Sequence, residues 1–187
     1  MFADATLRQI PWTQVSGLGI ETDQSKVEAI MSWPVPTSVK EVRSFLGLTG
    51  YYRRFIKDYA EKAAPLHALT KRFQWTHETQ RAFELLKQAL STPPILAMPR
   101  DTGEFILDID ACDMTIGAVL SQMQDGYEKV IAYASRTLDK REANYCVTRK
   151  ELLAIVYSVK YFKQYLLGRD FKIRTDHAPL TWLRHTP

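Results

Sequence analysis

The sequence predicts a mixed α/β sheet domain preceded by a small all-helical unit. Three observations carry this expectation. Residues 104–110, 116–123 and 129–134 are short runs of strand character, and Asp125-Gly126 between the last two is a strong hairpin signal. A long amphipathic run over residues 148–166 follows, leading into a fourth strand at residues 171–175. Upstream, residues 23–91 hold short helical patterns with cap signals, interrupted by Gly and Pro. Ser91-Thr92-Pro93-Pro94 separates the two regions. The expected division is a poorly defined segment 1–22, a helical unit 23–94 and an α/β domain 95–187.

Bulk properties narrow the class. The 187 residues allow one domain or two small ones, and 45% hydrophobic with 25% charged residues is ordinary for a globular protein. No apolar run reaches the roughly 20 residues that cross a bilayer. Residues 1–12 carry no apolar core of a secretory signal. An intracellular protein of the cytoplasm or nucleus, with no membrane partner, is expected. Cys112 and Cys146 have no metal or redox spacing, so both are expected as reduced, part-buried thiols. A net charge of +4 and a pI near 9.0 permit nucleic-acid binding without requiring it.

In chain order, Leu7, Ile10, Trp12 and Val15 give no clean period, Pro11 interrupts any helix, and Gly17 and Gly19 suggest a turn. Residues 1–22 are therefore expected to be poorly ordered or to borrow structure. Asp23 caps a short helix over residues 24–33, which Pro34 and Pro36 stop. Ser38 and Glu41 form a capping box for a helix burying Val42, Phe45 and Leu46, which Gly47 and Gly50 break or kink. Tyr51, Tyr52, Arg53, Arg54 and Lys57 follow, mixing aromatic rings with cations. That mixture suits stacking on nucleotides and pairing with phosphates. It equally suits a helix with Tyr51, Phe55 and Ile56 in a core and its cations in solvent. Residues 60–71 are helical, with Pro65 opening a new first turn. Thr76 caps a further helix with a stripe of Ala82, Phe83, Leu86 and Leu90.

In the α/β region, Thr148 to Glu151 reads as another capping box, and Leu152, Ile155, Val156, Val159, Phe162 and Leu166 continue a helical stripe to a stop at Gly168. His177 begins a further helix. Three antiparallel strands, a helix and a strand imply a mixed sheet. A right-handed crossover makes the fourth strand parallel to the first, so their C-terminal ends lie side by side. Asp110 and Asp176 stand at those ends, and Glu151 sits on the helix packed across them. Converging carboxylates can hold divalent metal, and two Mg²⁺ ions about 3.5–4 Å apart can drive in-line displacement on a phosphodiester. Each acid also has a structural use: Glu151 as the capping-box Glu, Asp176 as a helix N-cap, Asp110 as a turn residue. His177, beside Asp176, could assist product release or proton transfer, or serve as a surface or capping residue.

Residues 105–111, 116–122, 132–138, 145–154 and 174–177 together resemble the ribonuclease H domain of Ty3/gypsy-type retrotransposon reverse transcriptases. Residues 26–30, 44–56 and 73–90 resemble the thumb-like segment that follows the polymerase palm in such enzymes. The resemblance spans about residues 16–187. It implies a ribonuclease H-like mixed sheet, C-terminally truncated, with Asp110, Glu151 and Asp176 on three of the family's four metal-binding carboxylates. It further implies Mg²⁺, with Mn²⁺ as a substitute, and hydrolysis of the RNA strand of an RNA–DNA hybrid, leaving 3′-hydroxyl and 5′-phosphate ends. The basic helical unit would hold the hybrid. Against the family pattern, Ile109 and Cys112 replace a Thr and a Ser beside the first Asp, which removes polar support. The fourth carboxylate and the last strand and helix fall outside residues 1–187, and no Tyr-x-Asp-Asp polymerase signature occurs. The expectation is a piece of a Pol polyprotein, partnered by its polymerase and C-terminal portions, with an impaired nuclease. The alternative is a non-catalytic nucleic-acid-binding remnant of a degenerate element.

Overall fold

The computed structural model describes residues 13–16 and 19–176. They form two compact units, divided between Met98 and Pro99. The first opens with an antiparallel hairpin, β1 (Thr13–Ser16) and β2 (Gly19–Thr22), in the segment expected to be poorly ordered or to borrow structure. Ile20 also bridges to Leu96 in both directions, at 2.8 and 3.0 Å. The readings made for residues 1–12 lie outside the described residues.

Helices α1 (Gln24–Met31), α2 (Val39–Tyr51), α3 (Tyr59–Leu69) and α4 (His77–Ser91) follow. Their caps are as the sequence suggests, with one variation. Ser38 Oγ accepts from the Glu41 amide, but the Glu41 carboxylate reaches past Ser38 to the Thr37 amide at 2.7 Å. Two expectations fail. Gly47 and Gly50 do not break α2, because the buried ring of Phe45 and the Thr49–Tyr59 hydroxyl contact of 3.1 Å anchor its last turns. Pro65 lies inside one continuous α3 rather than opening a second helix, since Ala63, Leu66 and Leu69 bury one face across it. Phe45 and Phe83 rings, with centroids 4.6 Å apart, centre this core, flanked by Trp33 and Trp75.

The second unit is a four-stranded mixed sheet crossed by a helix. Its strands are β3 (Phe105–Ala111), β4 (Thr115–Gln124), β5 (Tyr127–Thr137) and β6 (Phe171–Thr175), in the spatial order β5-β4-β3-β6. The β4–β5 turn has Asp125 at φ 55° and Gly126 at φ 81°, the left-handed pair that a two-residue hairpin requires. β3 pairs antiparallel with β4 and parallel with β6, the latter from Phe105 opposite Phe171 to Ile109 opposite Thr175. The crossover is α5 (Val147–Tyr161) and the short α6 (Lys163–Leu166), and Gly168 at φ 74° ends it.

α5 packs on β3 and β4 with Lys150, Ala154 and Ser158 buried at a spacing of four, and Phe162 and Leu166, beyond its end, are buried as well. Of the expected apolar stripe, Phe162 and Leu166 are buried, whereas Leu152, Ile155 and Val159 are only half-buried and Val156 is 48% exposed. Small side chains at 154 and 158 let the helix backbone approach the sheet. The helix starts earlier than Thr148, with Cys146 at its N-cap, so the expected capping box does not exist. Both cysteines are exposed rather than part-buried, and both are free thiols.

Arg136 fastens β5 to the segment that leads into α5. Its guanidinium donates to both carboxylate oxygens of Glu142, at 2.6 and 2.8 Å, and lies over the Tyr157 ring. The Asp139 amide also donates to Glu142. Together these hold the Glu142 carboxyl far below its ordinary 4.5, at about 2. A carboxyl depressed in the folded state stabilises the fold above its unfolded value and loses that contribution as pH falls through its folded value. Glu142→Gln is therefore expected to destabilise the protein by about 1 kcal/mol at pH 7. The difference from wild type should fade between pH 4.5 and 2 in urea-denaturation curves.

Candidate metal centre

The parallel pairing of β3 with β6 brings two of the predicted acids together. Asp110 is the penultimate residue of β3, and Asp176 directly follows β6, one step beyond the Ile109–Thr175 pair. Glu151 stands on the second turn of α5, and one carboxylate oxygen from each of Asp110, Glu151 and Asp176 lies within 4.8 Å of the others. Glu151 is buried, at 3% exposure, while both aspartates are exposed. The site therefore has a fixed inner wall and an open mouth.

Glu151 is held from two sides. The Thr175 hydroxyl donates to its Oε2 at 3.3 Å, and the Ala111 backbone donates to the same carboxylate. It is not a capping residue, so its purely structural explanation falls away. Burial pushes its carboxyl above the ordinary value, the charges of Asp176 and Asp110 push it further, and the two hydrogen bonds only partly offset this. Oxygen-only donors of this kind suit a hard cation. Octahedral Mg²⁺ with bonds of about 2.1 Å spans at most about 4.2 Å between ligand oxygens, so a small side-chain adjustment closes the 4.8 Å spread onto one ion.

The flanking positions 109 and 112 have other employment. Ile109 is buried in the core, 5% exposed. The Cys112 thiol turns into the β3–β4 connection, 2.9 Å from Thr115 Oγ1, while the Cys112 amide donates to the Thr115 carbonyl. Sequence reasoning missed Thr175 and the Ala111 amide as supports of Glu151. The parallel register Ile109–Thr175 was the available signal, because it places Thr175 beside the strand end that carries Asp110. His177 lies outside the described residues.

The aromatic and basic tract of the first unit is split by the fold. Tyr52 and Phe55 lie in a single 3₁₀ turn, Tyr52–Phe55, and both are buried with Ile56. Tyr52 is fully enclosed, and burial pushes its phenol up to about 12. This corrects its assignment as a nucleic-acid contact, since a ring with no exposed face cannot stack on a base. It is Tyr52, not Tyr51, that fills the core. Tyr51, Arg53 and Lys57 are exposed and Arg54 is half-buried.

Comparison with known proteins agrees with this architecture. Residues 75–173 match the family described as an RNase H-like domain found in reverse transcriptase. The chain belongs to that family; Asp110 and Glu151 lie inside the matched residues and Asp176 just beyond them. More particularly, it is similar to stretches of retrotransposon Pol polyproteins. It is 47% identical over 172 residues to the retrovirus-related Pol polyprotein from transposon 297 of Drosophila melanogaster, covering 89% of this chain and 16% of that protein. It is 43% identical over 183 residues to the Pol polyprotein from transposon opus of the same species, covering 90% of this chain and 18% of that protein. The transposon Tf2-3 polyprotein of Schizosaccharomyces pombe is 37% identical over 172 residues, with 89% and 13% covered. The chain thus spans less than a fifth of these relatives. Its fold resembles the foamy viral protease-reverse transcriptase solved with an RNA/DNA hybrid, with a TM-score of 0.80 and 22% identity over 95% of this chain and 25% of that one. Among the described residues, no helix is long and apolar enough to cross a membrane.

The raised Glu151 carboxyl has a measurable consequence. A carboxyl raised in the folded state opposes folding once pH exceeds its folded value, and does not below its unfolded value. Without divalent metal, Glu151→Gln is expected to raise Tm at pH 7. The gain should vanish below about pH 4, where the wild-type carboxyl is protonated in both states. Differential scanning fluorimetry at the two pH values tests this, and a Tm loss at pH 7 would contradict it.

Proposed function

We propose that this chain carries a ribonuclease H-type nuclease site, which hydrolyses the RNA strand of an RNA–DNA hybrid with Asp110, Glu151 and Asp176 as the ligands of Mg²⁺ or Mn²⁺. The observation that carries the reading is the convergence of these three acids, from two strand ends and a helix, within 4.8 Å. Bound divalent metal supplies Lewis-acid polarisation of the phosphoryl group and a lowered pKa for the attacking water. The chain's own residues supply placement. Glu151, clamped by Thr175 and the Ala111 amide, forms the rigid flank. Asp110 and Asp176 face solvent, the side from which a phosphodiester can arrive.

In this reading residues 23–94 are the thumb-like segment, and Tyr51, Arg53, Arg54 and Lys57 contact the hybrid backbone. The relatives are Pol polyproteins and the similar foamy viral enzyme was solved on an RNA/DNA hybrid, which supports a hybrid as substrate. Work on such a hybrid places the protein inside the cell, in cytoplasm or nucleus, with the rest of a Pol polyprotein as partner. Apolar Ile109 and Cys112 beside Asp110 leave the metal without polar second-sphere support there, which argues for a slow nuclease.

The test is cleavage of an end-labelled RNA–DNA hybrid in Mg²⁺ and in Mn²⁺ by wild type and by Asp110→Asn. Cleavage that the substitution lowers at least about a hundredfold supports the site. Salt-sensitive hybrid binding without cleavage identifies a binding remnant instead. Arg53→Ala should weaken hybrid binding and lower its salt dependence, whereas Tyr52→Ala should destabilise the fold by about 3 kcal/mol.

A further inference from the structure

Lys150 is the one lysine among the described residues that the fold buries, at 7% exposure. Its position is unfavourable by local rules. It sits in the first turn of α5, where the helix dipole disfavours a cation, and that turn holds no acid to offset it. Buried lysines are rare unless paired. Among the described residues, the only carboxylate within salt-bridge reach is Asp113 at 3.4 Å, and that side chain is fully exposed and screened by water. The shorter contact is to a backbone atom: Lys150 Nζ donates to the Asp113 carbonyl at 3.1 Å. Charge pairing therefore does not explain the burial; the reach to one carbonyl does.

That carbonyl belongs to the tight connection between β3 and β4, closed by the Cys112 amide to Thr115 carbonyl bond of 2.9 Å. Three residues earlier, β3 carries Asp110 next to its end. The next residue along the helix, Glu151, accepts from the Ala111 amide. Adjacent helix residues thus grip adjacent parts of one strand end in opposite senses, one donating and one accepting. Removing either link frees the strand end that carries Asp110 to shift against the helix that carries Glu151.

We propose that Lys150 is a positioning residue of the metal site: its bond to the Asp113 carbonyl sets the spacing between Asp110 and Glu151. This rests on the metal-site reading above. It makes a prediction of definite sign. A cation beside a divalent-metal site repels the metal, so deleting its charge alone should tighten binding. Loss of positioning should weaken it.

The experiment is Mn²⁺ binding to the full chain, followed by electron paramagnetic resonance of the free ion, for wild type, Lys150→Met, Asp113→Ala and Asp110→Asn. Lys150→Met is expected to raise Kd at least about tenfold, the usual effect of losing a ligand's outer support. Asp113→Ala retains the carbonyl and should stay within about twofold of wild type. Should Lys150→Met fail to fold, Lys150→Gln, polar but too short to reach Asp113, gives the same comparison. Unchanged or tighter binding in the Lys150 variant, with Asp110→Asn still impaired, overturns the positioning role alone. Absence of Mn²⁺ binding by wild type overturns the metal-site reading and this inference with it.

Discussion

The parallel pairing between β3 and β6 is the constraint on which the second unit depends. Two strands of the same direction need a long connection, and the crossover supplied by α5 and α6 is what places a helix over the sheet. The same pairing puts both C-terminal strand ends at one border. Everything at the candidate site follows: an acid on each strand end, and a third on the helix that had to cross between them. The edge strand is further secured by Arg174, whose guanidinium donates to both oxygens of Asp108 on β3 and to Glu128 on β5. Asp108, which sequence alone leaves without a task, is thereby a strut for β6.

Opposing forces shape the site. Burial and like charge both act against ionised Glu151, while Thr175 and the Ala111 amide favour it. The fold tolerates this local conflict because β3 around it is well packed, with Phe105, Leu107 and Ile109 all enclosed. Local conflict on a rigid scaffold is the arrangement expected where a cation completes the balance. The apolar Ile109 strengthens the scaffold at the position where a hydroxyl would have supported a ligand, so packing is served there ahead of polarity.

Strand period, the Asp125-Gly126 turn, the helical caps and the crossover rule made most of the fold legible in the sequence. The convergence of Asp110, Glu151 and Asp176 followed from topology alone. What escaped were features set by tertiary contact. The N-terminal hairpin depends on pairing with Leu96, distant in sequence, and shows no alternating pattern of its own. The face of α5 that packs inward was misjudged because its closest approach uses Ala154 and Ser158, not the large apolar residues. The capping-box reading of Glu151 failed because the helix begins at Val147, one residue before the cap that the motif proposed. Tyr51 and Tyr52 are neighbours in sequence, and only the geometry of the 3₁₀ turn decides which of the two rings goes inside.

Backbone register gives the β3–β6 border a stepwise character. Strands slide past each other in whole residues, each about 3.3 Å, and a single step reverses which side chains face the helix. A slip of β6 by one residue would remove Thr175 from Glu151 and carry Asp176 out of reach in the same motion. A register slip of the edge strand would therefore dismantle the site in one step.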